Sequence, residues 1–355
     1  MTGSAPDAPA PEVGPEAAPD PAPEPIVPAR AAAPGLFRFS IEGRRAPALF
    51  VSGWLATIIG AGLAVVGFLS GPGLATSVLL VAGFALLSVG LVLLGGSQAI
   101  ERRVAGEPYA GPSPVLLFLA IVVVTLLVAG LVGTVLSLLG VDLTQDRALG
   151  DLLTVALQAL VFVGVVRLMV ISPGALSWSD MGLRRPPARA LLAAATGAAF
   201  ALPVVFVTGL VASLLVPLIG QAPPSPLPAT GTATGLGLHL VAGAGIAPFA
   251  EEIVFRGAAL TAWLRSVGPT NAIVRSAVLF AAAHAIGIEG ATFSQAFGLA
   301  LVATVARLPV ALALGWIYTR TGTLWASIGL HAAFNGLLIV VSEIGLSAPT
   351  AFLLG

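Results

Sequence analysis

After residue 45 the chain alternates between long apolar stretches and short polar turns. The apolar stretches fall near 46–70, 73–96, 114–140, 151–171, 189–219, 236–262, 272–288, 296–319 and 323–345. Each is long enough, or nearly so, to cross about 30 Å of hydrocarbon at roughly 1.5 Å per helical residue. The stretch at 272–288 is the shortest. Gly71-Pro72-Gly73 reads as a tight turn that makes a hairpin of the first two. Pro203 and Pro217 lie inside the long fifth stretch, where proline's missing N–H predicts a tilt or a break. The expected fold class is all-α, a polytopic transmembrane bundle of about nine spans.

Composition agrees with the pattern. Only 9% of the residues are charged and the mean hydropathy is +1.02, whereas a soluble domain carries about a quarter charged residues. The absence of cysteine excludes disulfides and thiolate metal sites. A net charge of zero gives no footprint for a nucleic-acid partner. Residues 1–35 differ from the rest: ten prolines, five acidic residues and few large apolar side chains. Such a segment cannot bury enough surface to offset its chain entropy, so a disordered tail is expected. The reading divides the chain into that tail, an N-terminal transmembrane region of about four spans over 36–180, and a second transmembrane domain over 181–350.

Loop charge orients the bundle. Arg38, Arg44 and Arg45 precede the first span, and Arg102 and Arg103 follow the second. Arg184, Arg185 and Arg189 lie between the fourth and fifth, Arg265 and Arg275 flank the turn from sixth to seventh, and Arg320 ends the eighth. The alternate loops carry mostly acidic residues or no charge. By the positive-inside rule the N-terminus is cytoplasmic and the protein is a multi-pass component of the cell membrane.

Against this apolar background three polar clusters stand out, all after residue 236. Glu251 and Glu252 are followed by Arg256; His284 follows Phe280 by four residues; Asn335 follows His331 by four. One charge at mid-bilayer costs roughly 2.5–3.5 kcal/mol even on the lenient insertion scale, so such residues mark function or pairing. Residues four apart share a helix face, so Glu252 and Arg256 can pair internally. Glu251 points about 100° away around the same helix. By depth, the three clusters can converge on one buried cavity.

EEIVFR at 251–256, FAAAH at 280–284 and HAAFN at 331–335 fit the motifs EExxxR, FxxxH and HxxxN. In order and spacing they resemble the CPBP intramembrane proteases, the CAAX prenyl protease and bacteriocin-processing (Abi) family. MGLRRP at 181–186 and GWIYTRTGTLWASIGLHAAFN at 315–335 extend the resemblance over about 181–345. It implies a CPBP-type core in the C-terminal half and an intramembrane endopeptidase acting on a membrane-associated or prenyl/CAAX-like peptide. Glu251 would be the catalytic glutamate, polarising a water with His284. His331 and Asn335 would hold the oxyanion, while Glu252, Arg256 and Phe280 would support the site.

A metal is possible but not required. If one is present, Glu251, His284 and His331 could supply a zinc set with an open position; Asn335 beside His331 suits an oxyanion hole better than a metal shell. The expected partners are the lipid bilayer and a peptide or membrane-protein substrate. The alternative is a non-catalytic membrane chaperone, immunity or transport protein that retains the fold. The intact motifs favour the enzyme, because a degenerate member would tend to lose Glu251 or a histidine. His239 belongs to no motif and reads as an interfacial residue near the outer surface. Arg307, mid-span before Pro309, reads as half of an ion pair.

Overall fold

The computed structural model describes residues 3, 43–143, 145–183 and 187–345; apart from Gly3, the proposed tail lies outside the described residues. Every regular element among them is helical. In chain order these are α1 (Pro47–Leu69), α2 (Leu74–Val104), α3 (Pro114–Leu138), α4 (Arg147–Ile171), α5 (Pro187–Ala198), α6 (Ala201–Ile219), α7 (Ala233–Leu264), α8 (Pro269–Ala283), α9 (Phe293–Thr321) and α10 (Leu324–Glu343). Eight spans are long and apolar enough to cross a membrane, counting α5 with α6 as one. The chain is therefore a multi-pass membrane protein. The shortest expected span forms α8, whose 15 residues reach about 22 Å.

Local sequence sets the helix boundaries. Ser113, Asp146, Thr292 and Thr323 cap α3, α4, α9 and α10 by accepting backbone N–H bonds in the first turn. Gly322 ends α9 at φ 64°, a left-handed conformation that costs glycine no Cβ clash. The fifth apolar stretch does break: α5 stops at Ala198 and α6 starts at Ala201. Pro203 accounts for it, since its ring crowds the carbonyl four residues back and it donates no N–H.

The basic loops gather at one end of the bundle. There Arg44 pairs with Glu101 at 2.8 Å, Arg103 donates to the Pro173 carbonyl, Arg265 pairs with Asp180 at 3.2 Å, and Leu324 N–H donates to the Gly182 carbonyl. At the other end, His239 at the start of α7 meets Asp151 of α4 at 3.2 Å and Glu343 of α10 at 3.7 Å. Glu343 also accepts both backbone N–H groups of Thr230 and Gly231 at 2.8 Å. This alternation of ends agrees with the order of basic and non-basic loops in the sequence. His239 is 1% exposed, buried between two carboxylates at that end of the bundle.

Two packing devices position the helices. In the α1–α2 hairpin, Gly53 and Gly60 face Gly90 and Gly83, Gly67 faces the Leu80 side chain, and the backbones nearly touch: a Cβ on Gly60 would lie 2.6 Å from Leu87 N. Close approach through small residues is the usual way apolar helices associate in lipid. Gly197 of α5 and Gly329 of α10 make a similar contact, with no room for a Cβ against the facing carbonyls of Ala326 and Ala194. That crossing fixes α10 one half-turn before His331. Two apolar clusters flank the middle of the bundle, one built from α3, α4, α7 and α8, the other from α6, α9 and α10.

Candidate active site

All three motifs meet on one cavity of about 570 Å³. Glu251 reaches it from α7, Phe280 and His284 from α8, Arg307 from α9, and His331 and Asn335 from α10. The opposite wall comes from α3 and α4, through Phe118, Val122, Val155 and Phe162. Thus two of the first four spans supply one side of it.

The local conformation of α7 is unusual. It widens into π-helix over Leu240–Ile246 and again over Ile253–Leu260, on either side of Glu251 and Glu252. A π turn inserts a residue and loosens the regular carbonyl pairing, and such turns concentrate at functional sites. Side chains take up the loosened carbonyls. Asn335 Nδ2 donates to Gly243 O at 2.9 Å, Ser276 Oγ to Phe255 O at 2.8 Å, and Thr261 Oγ1 to Arg256 O at 3.1 Å. The first of these ties α10 to the turn just before Glu251 and Glu252.

Glu252 and Arg256 form the expected i,i+4 ion pair at 2.8 Å, both fully buried. Arg256 also donates to Ala311 O at 3.1 Å and lies 4.4 Å over the Phe280 ring, a cation–π contact. Among the described residues Glu252 Oε2 and Arg256 Nε find no hydrogen-bond partner. The same Glu252 oxygen that takes Arg256 also bonds His331 Nδ1 at 2.9 Å. With Nδ1 donating, the ring turns its Nε2 towards Glu251, whose Oε2 is 3.8 Å away. His331 therefore stands between the two glutamates, oriented by one and facing the other. This three-way linkage is new relative to the sequence, which assigned Glu252 only to Arg256.

His284 comes to the cavity by another route. It is the residue at which α8 ends, and its Nδ1 bonds the Phe280 carbonyl at 2.8 Å. The Phe280 ring lies 4.6 Å from the His284 ring and 5.5 Å from the His331 ring, so it spaces the two imidazoles. Among the described residues no hydrogen bond or ion pair joins Glu251 to His284; they share the cavity without touching. Asn335 spends one amide N–H on Gly243 and keeps a second.

No group of three His, Asp or Glu side chains among the described residues is gathered closely enough to hold a metal ion. Glu251, His284 and His331 line one cavity but do not converge on a point, so the zinc set considered from sequence does not fit this arrangement. Arg307 is also in place at the cavity, but among the described residues it has no ion pair of the kind the sequence suggested.

No curated protein and no solved structure matches the chain. One family model does, over residues 233–337, a stretch that contains all three motifs and begins at the first residue of α7. At the family level the match supports an intramembrane endopeptidase. Residues 233–337 thus match the model of the Rce1-like type II CAAX prenyl endopeptidases, in agreement with the CPBP motifs.

Proposed function

We propose that this protein hydrolyses a peptide bond of a membrane-associated or CAAX-like peptide inside the bilayer, using water activated by Glu251 and His284. The observation that carries this reading is the single cavity on which Glu251, His284, His331 and Asn335 all open. Glu251 is not neutralised by Arg256, which Glu252 occupies at 2.8 Å, so its carboxylate remains available as a base. A water between Glu251 and His284 Nε2 would give its proton to Glu251 as its oxygen attacks the peptide carbonyl carbon. The negative charge moves to the carbonyl oxygen, where the second Asn335 N–H can donate to it, as can His331 Nε2 when both ring nitrogens carry a proton. On collapse the C–N bond breaks and the leaving amine takes the proton from Glu251. No step is routed through a metal, and chelators are expected to leave peptide cleavage by the purified protein intact.

The arginine-rich end of the bundle would face the cytoplasm of the cell membrane. Glu251 lies 13 residues before the end of α7 at Leu264, or about 20 Å of helix from that end. A substrate would therefore have to enter the membrane to be cut.

The test is to compare membrane-protein fragments in cells carrying the native chain and the Glu251→Ala chain. Fragments present only with native protein are expected. Identical fragment patterns, with the variant folded and present at native level, would leave the non-catalytic alternative in possession.

A further inference from the structure

Arg307 has no role in the chemistry above, yet it is among the costliest residues in the bundle. It lies fourteen residues from Phe293 and fourteen from Thr321, in the middle of α9, about 21 Å of helix from either end. It is 6% exposed. An isolated charge at that depth is unfavourable unless it is paired and hydrogen-bonded. Arg256, equally deep, meets this requirement with a carboxylate at 2.8 Å, a carbonyl and an aromatic face. Arg307 does not. Its one hydrogen bond among the described residues runs from Nη1 to the Ala303 carbonyl at 2.9 Å, within its own helix. No carboxylate among the described residues forms an ion pair with it.

The rest of the guanidinium is not sealed in. None of its nitrogens is among the buried atoms left without a partner, and the residue lines the cavity beside Glu251 and His284. The fork therefore opens onto the space a peptide would fill. Glu251 is the acidic group whose field reaches it, yet the two form no ion pair among the described residues. A cation meant only to offset Glu251 would close on it, as Arg256 closes on Glu252. Standing off leaves a gap with a planar double donor on one side, the geometry that accepts a carboxylate in a bidentate manner.

We infer that Arg307 is a specificity-determining residue whose guanidinium holds a carboxylate of the bound peptide. Mid-span depth favours a peptide anion over a lipid phosphate, because headgroups lie at the two ends of α9. The carboxylate has two sources, the free C-terminus of the peptide or an acidic side chain near the scissile bond. The inference rests on the peptidase reading only for the identity of the occupant as a peptide.

The experiment measures binding, so it does not depend on cleavage. Three apolar octapeptides bearing an uncharged nitrobenzoxadiazole label are titrated into the full chain in nanodiscs and followed by anisotropy. The first has its only carboxylate at the C-terminus, the second is its amide, and the third is that amide with one internal Glu. The free acid should bind the native protein roughly 10- to 100-fold more tightly than the amide, the range of a charge-assisted bidentate contact. If instead the Glu-bearing amide carries the gain, the side chain is the source, and Arg307 keeps its role. Arg307→Gln should remove the preference and leave amide binding unchanged; Arg307→Lys should keep part of it. Native protein that binds all three peptides equally, or none, overturns the inference, and this arm needs no variant to fold. An Arg307→Gln protein that melts as native but weakens all three peptides by one factor overturns it too. A chain that prefers the carboxylate yet gives the same cellular fragments as Glu251→Ala supports Arg307's role and sinks the peptidase reading.

Discussion

The α1–α2 hairpin and the α7–α10 cluster are both apolar helices in one bundle, but they are held by opposite means. No charged residue occurs between Pro47 and Ile100. There the helices approach until glycine Cα atoms face backbone nitrogens, and contact alone holds them. In α7–α10 the helices enclose Glu251, Glu252, Arg256, Arg307 and His331, and polar links hold them: His331 to Glu252, Asn335 to Gly243, Arg256 to Ala311. Dispersion through close contact asks nothing of water. A buried polar network is expensive, and one broken member leaves another uncompensated. The difference teaches that helix association did not require the charges, so the second region keeps them for another purpose.

The sharpest test of that contrast is Glu251→Gln. It should lower turnover by about 10²–10⁴-fold, the range for removing a general base, with the thermal melt unchanged, since Glu251 makes no hydrogen bond of its own among the described residues. A fall in melting temperature that tracks the loss of activity would erase the distinction between chemistry and structure. Arg256→Gln attacks the other half of the network. It should destabilise by about 3–5 kcal/mol by leaving Glu252 buried and unpaired, seen as reduced folded yield and a lower melt. Replacing both partners, Glu252→Leu with Arg256→Met, should recover most of that stability and none of the activity, because His331 loses the acceptor that orients it.

Asn335→Ala should cost roughly 10²–10³ in kcat, as for one oxyanion donor. A change confined to KM would assign Asn335 to binding instead. On the other side of the comparison, Gly90→Ala puts a Cβ 2.7 Å from Thr57 N and 2.8 Å from Gly53 O. The hairpin must spread, at about 1–3 kcal/mol, while turnover per folded molecule stays near native. Gly62, on the same helix as Gly53 and Gly60, has nothing within 4 Å of its would-be Cβ. Gly62→Ala should be neutral or stabilise by up to about 1 kcal/mol; equal damage at both sites would deny that the seam is what holds the hairpin.

The sequence told a good deal, for a physical reason. A charge within a hydrophobic span is a high-contrast signal, so Glu251, Glu252, Arg256, His284 and His331 were found before their neighbours were known, and the i,i+4 rule gave the Glu252–Arg256 pair. Pro203 marked the break between α5 and α6. What could not be read was partnership across long sequence distance. His239 meets Asp151 and Glu343, 88 and 104 positions away, so spacing could not show either contact. Glu252's bond to His331 spans 79 positions. The α3–α4 wall was invisible for a different cause: Phe118, Val122, Val155 and Phe162 are apolar among apolar neighbours, and nothing local separates a cavity-facing side chain from a lipid-facing one.

The π-helical turns of α7 also bear on how this protein can change. Each holds one residue more than an α-helix would over the same height, and a single deletion would let the turn relax to ordinary α-helix. Everything beyond it would then rotate by about 100°. A deletion within Leu240–Ile246 would swing Glu251 off the cavity and carry Glu252 away from His331 without altering one motif residue. The segment between Thr232 and Arg256 should therefore tolerate exchange of apolar side chains far better than any change in length. A lineage that lost or gained one residue there would keep its signature in the alphabet and lose it in space.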